Sequence, residues 1–202
     1  MFDQPNLSIY HWFAPFYDFL FGRLSAAERR RAIELLNVQA NECVIIPGVG
    51  TGLDLPLLPA NAIITATDLT SAMLEKARGK VNGRNVNLML MDAQALQFPD
   101  GAFDAAILNL ILSVVPDGAA AFREAWRVLR VGGRAVIFDK FLSEQNQLSQ
   151  RRRIIGRIIS TFGTDPNRRL SDIIGNPPNV IVERDEPSLL RGQYRIVLLR
   201  KG

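Results

Sequence analysis

The hydrophobic positions along this 202-residue chain change their spacing several times. From residue 43 onward, short runs of consecutive apolar residues alternate with stretches whose apolar positions recur every three or four residues. Short runs are typical of buried strands, and the longer period is typical of amphipathic helices. The pattern predicts strands at 43–46, 62–67, 86–91, 103–109 and 135–139. It predicts helices at 27–36, 53–58, 71–80 and 119–129.

Several helix ends carry local signals. Ser25 followed by Glu28 forms a capping-box pattern at the start of the first helix. Thr70 is placed to cap the helix that begins at the next residue. Gly132 and Gly133 are predicted to stop the helix that precedes the fifth strand.

The C-terminal part of the chain has a different pattern. Residues 180–182 and 194–199 read as two more strands, separated by 183–193. A segment this short cannot hold a helical crossover, so this pair is predicted to be an antiparallel hairpin at a sheet edge. The alternation before it predicts a parallel sheet with helices on both faces. The expected fold is therefore α/β, with a seven-stranded, mostly parallel sheet that ends in an antiparallel C-terminal edge hairpin.

Two segments lie outside the alternating pattern, and we expect both to belong to a single domain spanning 1–202. Residues 1–40 are predicted to be helical, with an aromatic face around residues 12–20 that either packs on the sheet or forms a lid over a binding site. Residues 144–175 are predicted to form a basic, helical insert. Its stretch from Arg151 to Ile159 has an apolar face with basic flanks, which suits a solvated helix, a pocket cover or peripheral contact with an anionic membrane.

Composition narrows the class of protein. The net charge is +4, and the sequence contains one cysteine, Cys43, and one histidine, His11. A single cysteine cannot form an internal disulfide, which fits a reducing compartment. These two residues leave no cluster for a soft metal, so no metal site is expected. The sequence shows neither a membrane-spanning apolar run nor a signal peptide, and a cytoplasmic protein is expected, with peripheral membrane contact as an option.

The first strand runs into a loop with glycines at alternate positions, Gly48, Gly50 and Gly52. A side chain there would need an unfavourable φ or would fill the space above the loop. The second strand ends at Asp68, where a carboxylate is placed to accept hydrogen bonds from a ribose diol. A nucleoside-containing ligand is therefore expected. A dinucleotide fingerprint would need a third glycine at position 53, which is Leu53.

Four segments in order, at 44–52, 66–77, 91–100 and 103–134, resemble the class I S-adenosylmethionine-dependent methyltransferases. The resemblance implies a Rossmann-like sheet, S-adenosyl-L-methionine as cofactor and S-adenosyl-L-homocysteine as product. Within the family, the chain is similar to the quinone methyltransferases and the phosphatidylethanolamine N-methyltransferases, which act on small molecules and lipids.

The resemblance also implies where the cofactor binds. The glycine loop would pass under its methionine part, Asp68 would hold the ribose, and Asp92 would accept from the adenine amino group. Asn109 would face the cofactor's amino group and the methyl donor. The full set of implied cofactor-binding residues is Pro47, Gly48, Val49, Gly50, Gly52, Asp68, Leu69, Met73, Asp92, Ala93, Asn109 and Leu110.

One position departs from the family pattern. The acidic residue usually found two positions before the first glycine is Ile46 here. Its role toward the cofactor's ammonium would pass to backbone carbonyls, to Asn109, to water or to Asp54.

No residue can be identified as catalytic from the sequence, because the main task of the protein in methyl transfer is to align donor and acceptor. The residues expected to line the acceptor site are Tyr10, His11, Tyr17, Asp139 and Lys140. For His11, a structural surface role is favoured over that of a base. The acceptor is predicted to be an N or O atom of a small amphiphile, such as a phospholipid head group or a quinone-like molecule. Two alternatives remain, a cofactor-binding protein without turnover and a nucleic-acid methyltransferase, and the chain lacks a target-base motif after strand four.

Overall fold

A computed structural model describes residues 24–142, 168–175 and 179–202 of the chain. The predicted aromatic face near the N-terminus and the stretch from Arg151 to Ile159 lie outside the described residues. The strands are β1 Cys43–Pro47, β2 Ile63–Asp68, β3 Asn85–Leu90, β4 Phe103–Asn109, β5 Leu129–Lys140, β6 Val180–Pro187 and β7 Tyr194–Lys201. The α-helices are α1 Ala26–Leu36, α2 Ser71–Arg78, α3 Gly118–Val128, α4 Leu170–Ile174 and α5 Leu189–Gly192.

All seven strands form one sheet in the order β3-β2-β1-β4-β5-β7-β6. The first five strands run parallel to one another, whereas β7 pairs antiparallel with both β5 and β6. The predicted Rossmann-like, mostly parallel sheet with a C-terminal edge hairpin is therefore confirmed. Because the order reverses between β1 and β4, the carboxyl ends of these two strands form a crevice, the usual ligand position in such sheets.

Helices cover both faces of the sheet, as the sequence predicted. On one face, which we call the α1 face, α1 and α2 bury residues such as Ile33 and Leu74 against Ile46 and Ile107. On the opposite α3 face, α3 and α4 pack against alternate residues of the same strands. Successive side chains of a strand point to opposite faces, so any strand residue can be assigned to one of them by counting.

The helix α1 runs antiparallel to the central strands, and contacts at both ends fix this direction. Near its start, Arg29 Nη1 donates to both carboxylate oxygens of Asp54, at 2.9 Å each, just past the loop that follows β1. At its end, the Leu36 carbonyl accepts from Arg134 Nε at 3.0 Å, in the first half of β5. The first turn of α1 therefore lies at the carboxyl edge of the sheet.

The glycine pair before the fifth strand does not stop a helix, so that prediction was wrong. The helix α3 ends at Val128 and β5 begins at the next residue. The pairing between β4 and β5 shifts register from Phe103↔Leu129 to Ala105↔Arg134, so the glycines lie in a bulge within β5. A Cβ on Gly133 would lie 2.8 Å from the Arg130 carbonyl oxygen, which leaves room only for glycine.

Three local predictions also differ from the structure. Ser25 makes no side-chain cap bond to α1, and its hydroxyl instead accepts from Arg29 Nε at 3.3 Å. Thr70 precedes α2 but does not cap it, because its hydroxyl donates to Asp68 at 3.1 Å. The helix predicted at 53–58 is a single 3-10 turn, Leu55–Leu57, because Leu58 is extended, as is favoured for a residue that precedes a proline, here Pro59.

Candidate functional site

The loop after β1 turns on three glycines with positive φ, at +66° for Gly48, +55° for Gly50 and +79° for Gly52. Two of them are enclosed. A Cβ on Gly48 would overlap the Ile111 side chain, and one on Gly52 would lie 2.8 Å from the Ala77 Cα. At Gly50 nothing lies within 4 Å of the Cβ position. The loop thus leaves open space above its middle glycine.

Three backbone amides of this loop have hydrogen-bond partners within the chain. The Val49 N–H donates to the Thr67 carbonyl at 2.8 Å, and the Gly52 N–H donates to the Val49 carbonyl at 3.0 Å. The Gly50 N–H donates to Asp68 Oδ2 at 2.9 Å. The sequence suggested a loop that could bring its amides to a ligand, whereas the structure gives these three amides partners of their own. The feature that the structure shows open to a ligand is the space above Gly50.

Asp68 closes β2 and connects the loop to the start of α2. Its Oδ2 accepts from Gly50, and its Oδ1 accepts from the Thr70 N–H at 3.0 Å and the Thr70 hydroxyl at 3.1 Å. A carboxylate has about four acceptor positions, so three are in use and a fourth remains. A second acceptor position becomes free when the Thr70 hydroxyl rotates away. Asp68 could then accept hydrogen bonds from both hydroxyls of a diol.

Apolar side chains flank Asp68. Leu69 is 60% exposed and Leu90, its neighbour on β3, is 64% exposed. Leu90 pairs directly with Asp68 in the β2–β3 register, and Met73, in the first turn of α2, is half-buried. An exposed leucine on each side of a carboxylate suits a flat ring attached to a sugar. Leu90 was not among the residues expected from the sequence, although the predicted parallel pairing of the two strands places it beside Asp68.

Asp92 and Ala93 follow β3. Asp92 is half-buried, and its Oδ1 accepts from both nitrogens of Gln94, the backbone N–H at 2.8 Å and the side-chain Nε2 at 3.0 Å. Gln94 Oε1 in turn accepts from the Asp117 N–H at 2.8 Å, at the start of α3. The loop after β3 is therefore fixed to α3, and Ala93 is buried within it.

Asn109 ends β4 beside the crevice. It is only 6% exposed, and neither its Oδ1 nor its Nδ2 has a hydrogen-bond partner in the described part of the chain. The next residue, Leu110, has a φ of +58° and donates its N–H to the Phe138 carbonyl at 2.7 Å. Buried amides are normally hydrogen-bonded, so an unpartnered one at a ligand edge indicates that a polar ligand group completes it.

Ile46 lies on the α1 face, in β1 just before the glycine loop, and it is 1% exposed. It offers no polar atom to a ligand. Asp54, one of the alternatives suggested by the sequence, is buried and has both carboxylate oxygens bound by Arg29 at 2.9 Å. This ion pair leaves Asp54 poorly placed to take over a role toward a second cation.

Asp139, near the end of β5, is fully buried. It accepts from the Ser113 N–H at 3.0 Å and the Lys140 N–H at 2.7 Å. Burial raises the pKa of the Asp139 carboxyl above its usual range, against the opposing effect of these donors and of the Ser113 hydroxyl. A carboxyl enclosed in this way holds the chain together and does not line an open pocket.

The remaining candidates for the acceptor site, Tyr10, His11 and Tyr17, lie outside the described residues. Within 24–142, 168–175 and 179–202, no group of His, Cys, Asp and Glu side chains converges as metal ligands. The residues expected to bind the cofactor do converge, because all of them follow or end β1, β2, β3 or β4, or begin α2, at one edge of the sheet. The open loop, the carboxylate between two leucines and the unpartnered amide together fit a nucleoside with a charged amino-acid tail.

Comparisons with known proteins agree with this fit. A family model described as "Methyltransferase domain" matches residues 46–137. Phosphatidylethanolamine N-methyltransferase from Cereibacter sphaeroides is 34% identical over 186 residues, which cover 90% of this chain and 90% of the relative. Demethylmenaquinone methyltransferase from Thermus thermophilus is 36% identical over 136 residues, which cover 62% of this chain and 61% of the relative.

Solved structures agree on the fold. Geranyl diphosphate C-methyltransferase from Streptomyces coelicolor superposes with a TM-score of 0.71 at 17% identity, covering 89% of this chain and 78% of that one. An S-adenosylmethionine-dependent methyltransferase from Thermotoga maritima superposes with a TM-score of 0.67 at 21% identity, covering 96% and 99%. With the relatives above, this similarity places the chain in the S-adenosylmethionine-dependent methyltransferase family.

Proposed function

We propose that this enzyme transfers a methyl group from S-adenosylmethionine to the amino nitrogen of a phospholipid head group. The main support for the proposal is the length over which the chain matches one relative. The phosphatidylethanolamine N-methyltransferase relative is covered to 90% of its length by 90% of this chain. The match therefore includes segments outside the cofactor-binding strands, where acceptor-binding residues are expected.

The cofactor residues follow from the geometry of the sheet edge. Asp68 is proposed to accept from the ribose hydroxyls, with the exposed leucines Leu69 and Leu90 against the adenine ring. Asp92 is proposed to accept from the adenine amino group. The space above Gly50 would take the chain between sugar and sulfur, and Asn109 would bind the polar methionyl end.

S-adenosylmethionine supplies a methyl group on a positively charged sulfur, which is already an excellent leaving group. The protein therefore contributes mainly by aligning the acceptor and excluding water. An amine acceptor must be neutral before it can act as a nucleophile, so the site has to release one proton from it. Asp139 is not the proposed base, because it is fully buried and already accepts from Ser113 and Lys140.

The test is a mass-shift assay on defined acceptors with a deuterated methyl donor. Phosphatidylethanolamine in mixed vesicles should gain one labelled methyl group per turnover, and phosphatidylglycerol vesicles serve as the acceptor control. Asp68→Ala is the enzyme control, since it should reduce methylation without changing the preferred lipid. Labelling of neither lipid, with the cofactor bound, would reject the head-group proposal.

A quinone ring is the second candidate acceptor, supported by the demethylmenaquinone methyltransferase relatives. The chain spans only 61% and 53% of those two relatives, so the support is confined to the shared part. A demethylated quinone in the same assay separates the two candidates. Methylation of the quinone and not of phosphatidylethanolamine would favour this second function.

A lipid acceptor also requires access to a membrane surface. No helix in the described part of the chain is long and apolar enough to cross a bilayer. Peripheral contact through Arg151 to Ile159 stays a prediction. Replacing Arg151, Arg152 and Arg153 by glutamine should reduce sedimentation with anionic vesicles and leave cofactor binding unchanged.

A further inference from the structure

Glu28, in the first turn of α1, carries an unusual carboxylate. Its Oε2 is buried and has no hydrogen-bond partner in the described part of the chain. A buried oxygen of an ionised carboxylate is costly unless a cation or a donor reaches it. An oxygen left in this state indicates a position that a charged ligand group completes.

The position of Glu28 follows from the helix that carries it. Glu28 lies three residues after Ser25 and four before Ala32, and both of these residues are fully buried. Residues at this spacing share one side of a helix, so Glu28 lies on the side of α1 turned toward the sheet. The ion pair between Arg29 and Asp54 fixes this first turn at the carboxyl edge, next to the glycine loop.

Asn109 belongs to the same face of the sheet. In β4, Ala105 and Ile107 pack with the buried side of α1. Side chains alternate along a strand, so Asn109 is on the α1 face as well. Among the described residues on this face, its two polar atoms are the other buried side-chain atoms without a hydrogen-bond partner. Ile46, in the core on the same face, is apolar and offers no polar atom.

We infer that Glu28 and Asn109 form a binding site for an alkylammonium group. Glu28 supplies the negative charge, and the Asn109 amide oxygen supplies a neutral acceptor. This inference rests on the proposed function, which offers two sources for the same chemistry. One is the ammonium of the methionyl part of the cofactor, and the other is the amino group of an ethanolamine head group.

The other carboxylates at this edge have hydrogen-bond or ion-pair partners within the chain. Asp54 is paired with Arg29, and Asp139 is on the α3 side, where it accepts from Ser113. Asp68 holds Gly50 and Thr70, and Asp92 accepts from Gln94. Among the described carboxylates here, Glu28 is the one with a buried oxygen that has no partner.

The first arm of the experiment measures cofactor binding by calorimetry. S-adenosylhomocysteine and its analogue without the α-amino group are titrated into the wild type, Glu28→Gln and Glu34→Gln. Glu34 is an exposed glutamate on the same helix, and its variant is the matched control. If the ligand is the cofactor's ammonium, Glu28→Gln weakens S-adenosylhomocysteine by about ten- to a hundredfold and leaves the deaminated analogue unchanged.

The second arm tests the acceptor. With S-adenosylhomocysteine saturating, dihexanoyl phosphatidylethanolamine is titrated into the same three proteins, and dihexanoyl phosphatidylglycerol is the control lipid. Loss of phosphatidylethanolamine binding alone in Glu28→Gln assigns the site to the head group. Unchanged binding of both ligands overturns the inference.

Two further results keep the inference separate from the function on which it rests. If the wild type binds no S-adenosylhomocysteine, the proposed cofactor site fails whatever Glu28 does. If Glu28→Gln does not fold, Asn109→Leu is used in its place. This substitution removes the neutral acceptor and keeps a side chain of similar volume. Asn109→Leu should then lose the same ligand selectively, and full retention of both ligands would overturn the inference.

Discussion

Asp139 and Ser113, 26 residues apart, are joined by a hydrogen bond of 3.0 Å from the Ser113 N–H to Asp139 Oδ2. This bond fastens the loop after β4 to the end of β5. Arg168 holds the other side of the loop, donating from Nη1 to the Leu112 carbonyl at 2.5 Å and from Nη2 to the Pro116 carbonyl at 2.7 Å. The loop that begins next to Asn109 is thus held from two directions.

Asp139→Asn should lower the free energy of unfolding by about 1–3 kcal/mol. An asparagine amide cannot accept at both positions, so a buried N–H of the Ser113 or Lys140 backbone is left without its acceptor. Urea denaturation followed by circular dichroism measures the change. Asp172→Asn, at an exposed position in α4, is the control and should change stability by less than about 0.5 kcal/mol. Equal stability of the two variants would show that the buried carboxylate is not needed to hold the loop.

The same carboxyl predicts a pH dependence. Burial raises the pKa of Asp139 in the folded protein above its value in the unfolded chain. The folded state therefore binds this proton more tightly, and the stabilisation that this gives is complete below the unfolded pKa. It is lost as pH rises through the folded pKa. The difference in unfolding free energy between the wild type and Asp139→Asn should therefore shrink from acid pH toward neutral pH, measured by urea titrations at several pH values. A difference that grows with pH would contradict the direction of the pKa shift.

Two glycines offer a matched test of the cofactor site. Gly50 and Gly83 both have positive φ, +55° and +73°, and neither has an atom within 4 Å of its Cβ position. Alanine should cost about 1–2 kcal/mol of stability at either position, because the left-handed conformation is unfavourable for it. Only Gly50→Ala should also weaken S-adenosylhomocysteine binding, since its methyl group would enter the space above the loop. Calorimetry and thermal denaturation separate the two effects, and equal affinity of both variants would move the ligand away from this loop.

Asp68→Ala should reduce affinity for S-adenosylhomocysteine by about 1–3 kcal/mol, by deleting charge-assisted hydrogen bonds to the ribose. The substitution also frees the Gly50 and Thr70 amides, so a second variant is needed. The Asp68→Asn side chain keeps one oxygen that can accept from the backbone amides, but it cannot also accept from both ribose hydroxyls. This variant should bind adenosylhomocysteine weakly and 2′,3′-dideoxyadenosine compounds no worse than the wild type does. A loss that is equal for both ligands would mean that Asp68 acts only through the loop.

The central strands β1 and β4 could be predicted from the sequence because they are buried on both faces. Their sequences, 43–46 and 103–109, are mainly apolar, as is typical of strands covered on both sides. The segment after residue 182 is too short for a helical crossover, which predicted the antiparallel pair. The cofactor-binding edge of the sheet could also be predicted. Glycines and acidic residues follow directly after these strands, and parallel strands bring their carboxyl ends together.

Side-chain partners could not be predicted in this way, because they depend on contacts between distant segments. Thr70 had the sequence of a helix cap, but the nearby Asp68 offers its hydroxyl a charged acceptor. Gly133 had the sequence of a helix stop, but the carbonyls of Arg130 and Asp104 crowd its Cβ position in a bulged strand. The enclosure of Asp139 depends on Ser113, in a loop with no periodic pattern.

Arg168→Lys provides a test of the loop after β4 that leaves the cofactor residues untouched. The two guanidinium nitrogens reach two carbonyls at once, and a lysine ammonium cannot reproduce this planar, two-pronged arrangement. The loop should become less well fixed, so the KM for the acceptor should rise severalfold. The affinity for S-adenosylhomocysteine should stay within about twofold, because the glycine loop is held separately by Asp68. Steady-state kinetics and calorimetry check the two expectations, and Arg123→Lys, at an exposed position in α3, is the control. A variant that loses cofactor affinity and acceptor affinity together would show that Arg168 supports the whole edge of the sheet and not this loop alone.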